Sequence, residues 1–269
     1  IGTFDTIEHY ITVPYILSLS FLKIIYKNDN MLEKFGKRVT SEYQEDGILE
    51  YIFDRLPLNK YKRRYYVYIR DEYHLKKKFN ILRNLILNYK FVNAICHKTY
   101  SHGNVSCEIE FVKELFSNGG LLFNNPIDLL SVECMNTDFW IIKTYIEQCK
   151  KFDMTPPNVI VTRYNYILGP HKSVAVPYTK TRKDNDMNYT GASLMAYCNI
   201  LKDYVFIGCV KFALSGFFVR RDVILKNKLN HDDFFQQANI DHCFSYPNVS
   251  YGMTSRWPKV ERKFWISIK

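Results

Sequence analysis

With 269 residues, 47% of them hydrophobic, the chain is long enough for one large α/β domain or two small ones with an ample core. A formal net charge of +10 leaves two readings of the surface, an anionic partner or a solvated basic face. The seven cysteines (Cys96, Cys107, Cys134, Cys149, Cys198, Cys209 and Cys243) form no CxxC pair and no Cys/His ligand spacing, which speaks against a zinc site and reads as reduced core thiols of a cytoplasmic protein.

The sequence starts at Ile1 rather than Met, which reads as a fragment or a processed product. Residues 10–26, YITVPYILSLSFLKIIY, are interrupted by Pro14 and Lys23 and fall short of the roughly 20 apolar residues of a membrane span, so a core or partner-facing helix is expected there and no membrane span. Residues 1–56 read as a mostly helical extension ending in EDGILEYIFDRL, where Ile48, Leu49, Ile52, Phe53 and Leu56 recur at helical spacing. Residues 57–269 read as one α/β domain.

Within that domain short apolar runs alternate with longer amphipathic ones. YYVYI (65–69) predicts a strand, HLKKKFNILRNLILN (74–88) a helix and FVNAIC (91–96) a second strand. CEIEFVKELFSN predicts a helix stopped by Gly119 and Gly120. Then follow a strand at DLLSVE, a helix at DFWIIKTYIEQCKKF and a strand at NVIVTRY. A loop over 169–188, rich in Pro, Lys and Asp, leads to a helix at GASLMAYCNILK, and YVFIGCVKF and LSGFFVRR read as antiparallel neighbours. Repeated strand-helix-strand units predict a mostly parallel, doubly wound sheet with a terminal antiparallel strand pair.

The segments SEYQEDGILEYIF, IDLLSVECMNTDFW, PPNVIVTRYNYILGP, VPY and YTGASLMAYCNILKDYVFIGCVKFALSGFFVRRDV resemble, in this order, signature segments of the FkbM-type S-adenosylmethionine-dependent methyltransferases, over approximately residues 40–225. The resemblance implies a Rossmann-like methyltransferase fold. It also implies a cofactor site, at which this chain departs from the family. Tyr68 stands where relatives carry the acid of the first strand, Arg70 at a glycine, and Tyr73 and His74 at an Asp-Gly pair. A large side chain at such a turn fills cofactor space and resists the backbone angles glycine permits. His97 stands near the ribose-binding acid, and a neutral imidazole cannot offer a diol the bidentate acceptance of a carboxylate. In the third segment Glu133 holds the first acid's place, Met135 the second's, Asn136 the glycine's and Asp138 the third acid's, while Arg163 replaces a Glu.

The resemblance with its degenerate cofactor positions implies a pseudo-methyltransferase that acts as a binding or scaffold protein without a cofactor. The alternative is a divergent active O- or N-methyltransferase that uses S-adenosylmethionine, with Glu133 or Asp138 as base. A weaker one is a metal-dependent nucleotide-sugar glycosyltransferase using Asp184 and Asp186, which also read as solvated turn acids. Glu133 and Asp138 equally read as a strand-end Glu and a helix-start Asp. His97 and His102 form at most a weak acid/base pair. Lys62, Arg63, Arg64, Lys76, Lys77 and Lys78, interleaved with tyrosines, form a basic face suited to nucleic acid or to a protein partner, and TSRWPKVERKFWISIK a second such group or a tail that packs its tryptophans on the domain. Sequons at Asn104, Asn188 and Asn248 would matter only in a secreted chain.

Overall fold

The computed structural model describes residues 32–41, 43–56, 64–71, 91–99, 109–117, 127–134, 136–179, 186, 188–210, 214–228, 238–245 and 247–269. The chain divides into residues 1–31 and a compact unit, Leu32–Lys269. The boundary expected after residue 56 falls inside this unit. Helix α1, Glu45–Arg55, buries Ile48, Leu49, Ile52 and Phe53 in the same apolar cluster as the sheet residues Tyr66, Leu129, Val159 and Val219.

Among the described residues six strands build the main sheet: β1 (Arg64–Asp71), β2 (Phe91–Thr99), β3 (Leu129–Glu133), β4 (Val159–Arg163), β6 (Tyr204–Cys209) and β7 (Ser215–Arg220), in the order β2-β1-β3-β4-β7-β6. Pairing is parallel from β2 through β4 and antiparallel at β4/β7 and β7/β6. Only β7 is therefore reversed. The parallel sheet and the closing antiparallel pair both agree with the sequence reading.

Both faces of the sheet are covered, so its strands read as uninterrupted apolar runs rather than alternating ones. Val67, Ile69, Leu130, Val132, Ile160, Phe206 and Phe218 pack with helices α2 (Ile109–Leu115), α3 (Asp138–Lys151) and α4 (Leu194–Ile200). Their neighbours on the opposite pleat, Tyr66, Tyr68, Leu129, Val161, Phe217 and Val219, pack with α1 and with α5 (Arg221–Lys228) through Val223 and Ile224.

The loop expected over 169–188 holds strand β5 (Val174–Ala175), paired antiparallel with the C-terminal β8 (Ile266–Ser267). Ser193 caps α4 by accepting from the Ala196 amide, and its Oγ also accepts from Val174 N at 3.1 Å, which ties β5 to that helix. Beyond Arg220 the chain adds α5, α6 (Ile240–Phe244) and α7 (Pro247–Val260). Helix α7 passes over the 3₁₀ turn Tyr166–Leu168, and Gly252 permits the approach: a Cβ there would lie 2.5 Å from the Tyr166 ring. Among the described residues no helix is long and apolar enough to cross a membrane, and the 10–26 stretch lies outside them.

Candidate functional site

The chain leaves β1 for β2 on one side and returns to β3 on the other, so the carboxyl ends of β1 and β3 flank the switch point where open α/β sheets bind ligands. Glu133 is the last residue of β3 and sits opposite Arg70 of β1. Tyr68, buried at 1% exposure, donates its hydroxyl to Glu133 Oε2 at 2.6 Å. The other carboxylate oxygen lies 3.5 Å from Nη2 of Arg163, the last residue of β4. One strand further, Ser215 pairs with Arg163 in register and donates Oγ to Glu45 Oε1 at 2.9 Å. Glu45 Oε2 accepts from the Tyr43 amide at 2.8 Å, and the Tyr43 ring lies under the Arg163 guanidinium at 5.1 Å. A polar row thus crosses β1, β3, β4 and β7 beneath the N-terminus of α1.

The row gathers more carboxylate than guanidinium. Burial raises the Glu45 carboxyl above its ordinary range, the charge of Glu133 adds to the rise, and the donors from Tyr43 and Ser215 only partly offset them. For Arg163 burial opposes the charge, but Glu133, then Tyr43, Glu45 and Asp138, hold its proton and leave it above its ordinary value. A buried carboxylate of this kind is tolerated because it is paired.

Asp138 opens α3, and its Oδ1 accepts from the Cys134 amide in the preceding loop. Asp138 thus stands at the start of the helix with the loop amide as one partner. Cys134 itself is disulfide-bonded, which corrects the expectation of seven reduced thiols. The spacing of the cysteines alone gave no sign of it. Cys149, Cys198, Cys209 and Cys243 are free. Burial pushes Cys149 up to about 12 and Cys198 up to about 11, so both stay protonated thiols rather than nucleophiles.

A cavity of about 390 Å³ opens beside the end of β4, lined by Asp138, Arg163, Tyr166, Asn188, Thr190 and Arg256 among others. Asn165 fixes its wall: Nδ2 donates to the carbonyls of Asn188 and Thr190 at 2.8 and 2.9 Å, and Oδ1 accepts from the Ile167 amide. Arg256, exposed on α7, donates to the Tyr166 hydroxyl at 2.9 Å.

Several sequence-selected residues lie apart from this site or outside the described atoms. Arg70 and His97 are placed by backbone alone, His97 opposite Ile69 on β2. Tyr73, His102, Asp184, Lys62, Arg63, Lys76, Lys77 and Lys78 lie outside the described residues, and Arg64 starts β1. Asp186 Oδ1 accepts from the amide and the side chain of Asn188, as a turn acid does. The C-terminal tryptophans pack on their own domain: Trp265 donates Nε1 to the Val260 carbonyl at 3.1 Å, its ring is 6.3 Å from that of Trp257, and Lys172 stands 4.5 Å over Trp257. Among the described residues no three His, Cys, Asp or Glu side chains are grouped to hold a metal ion.

Sequence reasoning missed Glu45, Ser215, Asn165 and Arg256. Glu45 carried the one available signal, as half of an acidic pair at a helix start. Comparison with protein-family models, curated proteins and solved structures yields no match for this chain.

Proposed function

We propose that the chain is a methyltransferase-like protein that has lost cofactor chemistry and acts by binding a partner, a protein or a nucleic acid. The observation that carries this reading is the use of Glu133. Its two oxygens at the carboxyl end of β3 are turned to the Tyr68 hydroxyl and the Arg163 guanidinium. An active site would need such an acid open to a ligand, and here two large side chains meet it from β1 and β4. The described residues therefore fit an S-adenosylmethionine moiety poorly, and no chemical step is assigned to one. The strand order supports the fold part of this reading, since a single reversed strand next to the last position, as in β4-β7-β6, agrees with the methyltransferase-like arrangement that the sequence motifs imply. The basic balance of the whole chain suits an anionic partner.

Calorimetric titration of the purified chain with S-adenosylmethionine and S-adenosylhomocysteine tests this. No heat of binding at millimolar ligand is the expected result, with circular dichroism confirming the fold. Micromolar binding would overturn the reading in favour of a divergent methyltransferase. A parallel titration of Tyr68→Glu, which restores an acid at the family's position, shows whether the pocket is blocked by that side chain.

A further inference from the structure

The basic, aromatic stretch at the C-terminus has an inner and an outer layer. In the inner layer three rings support one another: Tyr189 meets Trp265 edge-on at 4.7 Å, and Trp265 lies 6.3 Å from Trp257. A lysine stands over each outer ring, Lys263 at 5.6 Å over Tyr189 and Lys172 at 4.5 Å over Trp257, which holds two exposed cations in place. The turn after α7 is tied to this cluster by its backbone. The Lys263 amide and Trp265 Nε1 both donate to the Val260 carbonyl, at 3.0 and 3.1 Å, and the Tyr189 hydroxyl donates to the Phe264 carbonyl. In the outer layer Phe264 is left 73% exposed on this fixed turn, and Tyr251 on α7 is 72% exposed. Over residues 247–269 five basic side chains, all exposed, stand against one acidic one, Glu261.

This pattern selects among anionic partners. Val249 and Val260 on the apolar side of α7 are buried against the domain, so that side is not available to lie in a membrane. The centre of a protein interface is depleted of charge, whereas Arg262 and Lys263 directly precede the exposed ring. A planar ring held out on a fixed backbone beside cations suits an unpaired base, which stacks on any aromatic face while neighbouring phosphates meet the positive side chains. A duplex, whose bases already stack on each other, offers no such face. We propose that this surface binds single-stranded nucleic acid, with a base stacked on Phe264 and phosphates at Lys172, Arg262 and Lys263. The proposal rests on the reading that the chain acts by binding, and it names the class of partner and the place where it is held.

Fluorescence anisotropy of labelled oligo(dT) and oligo(U) with the full chain tests it, over salt concentrations from about 50 to about 200 mM. At least one of the two is expected to bind. Phe264→Leu should weaken that binding about tenfold and Phe264→Trp should not, because stacking needs a ring rather than apolar bulk. Lys172→Gln combined with Lys263→Gln should lower the slope of log affinity against log salt by about 1.4, the share of two phosphate contacts on a single strand. Thermal denaturation of each variant confirms that it folds. No binding to either oligonucleotide at about 50 mM salt would overturn the proposal, and so would binding that Phe264→Leu leaves unchanged. Sedimentation with phosphatidylserine vesicles in place of oligonucleotide binding would assign the surface to a membrane and overturn it as well. Oligonucleotide binding that ignores Phe264 removes this surface but leaves the binding reading in place. The cofactor titration decides that reading separately, since micromolar binding of S-adenosylmethionine overturns it whatever the oligonucleotides do.

Discussion

Glu45 shows how a single residue couples the N-terminal helix to the sheet. It is fully buried, it accepts from Ser215 across a separation of 170 positions, and its carboxyl is raised by burial and by Glu133. A raised native value means that, above the unfolded value of about 4.3, the folded chain holds a proton which the unfolded chain has released. The slope of stability with pH is then negative. The contribution is fully present below the unfolded value and is lost as pH rises through the native one. Glu45→Gln mimics the protonated form and removes this slope. Urea denaturation from pH 4 to pH 8 is expected to show the variant gaining on the parent chain as pH rises, with the difference levelling off once Glu45 is ionised in both states. A constant offset at every pH would mean that Glu45 is not the titrating group.

At the scale of elements, the start of α1 is built by three consecutive residues with three different tasks. Glu45 enters the polar row. Asp46 Oδ2 accepts from the amides of Val39, Thr40 and Ser41, at 2.8, 2.6 and 2.6 Å, and so folds the preceding loop onto the helix. Gly47 lets that loop come close: a Cβ there would lie 2.2 Å from the Phe35 carbonyl and 2.6 Å from the Lys37 amide nitrogen, neither of which can swing away as a side-chain tip can. In an unconstrained helix Gly→Ala is stabilising by about 1 kcal/mol, so an intrinsic-propensity argument predicts a gain. The clash reverses that sign, and Gly47→Ala is expected to lose about 1–3 kcal/mol by overpacking. Denaturant midpoints decide between the two outcomes. The helix itself was legible from the spacing of Ile48, Leu49, Ile52 and Phe53, but the loop that packs on it was not. The same contrast runs through the fold. Strands β3, β4, β6 and β7 are legible because burial on both faces makes them continuous apolar runs between polar breaks. Helix α7 is not, since Gly252, Pro258 and its many hydroxyl residues score poorly as helix formers and its place is set by packing on Tyr166. Strands β5 and β8 have two residues each, too few for any period to show. In the site, Glu133 and Asp138 were found from the strand-to-helix passage they bracket, whereas Ser215, Asn165 and Arg256 join it only through tertiary contacts.

Across the whole molecule, the position of Cys134 links the oxidation state to the integrity of the site. Cys134 follows Glu133 directly, its amide is held by Asp138, and its sulfur is in a disulfide. The loop from β3 to α3 is therefore fixed at the end of the strand, at the start of the helix and through a covalent bond. Persistent disulfides belong to oxidising surroundings, so the state of this bond also bears on where the chain works, a point on which the cysteine spacing alone favoured the reduced, cytoplasmic reading. Alkylation of the unfolded, unreduced protein followed by mass spectrometry is expected to label two fewer of the seven cysteines than after reduction, with Cys134 among those protected. Reduction should then lower stability by about 2–4 kcal/mol, because the released loop regains conformational freedom in the unfolded state. Full labelling of all seven without reductant would remove the covalent tie, leaving the Asp138 hydrogen bond and the packing of Phe139 and Ile142 to hold the loop.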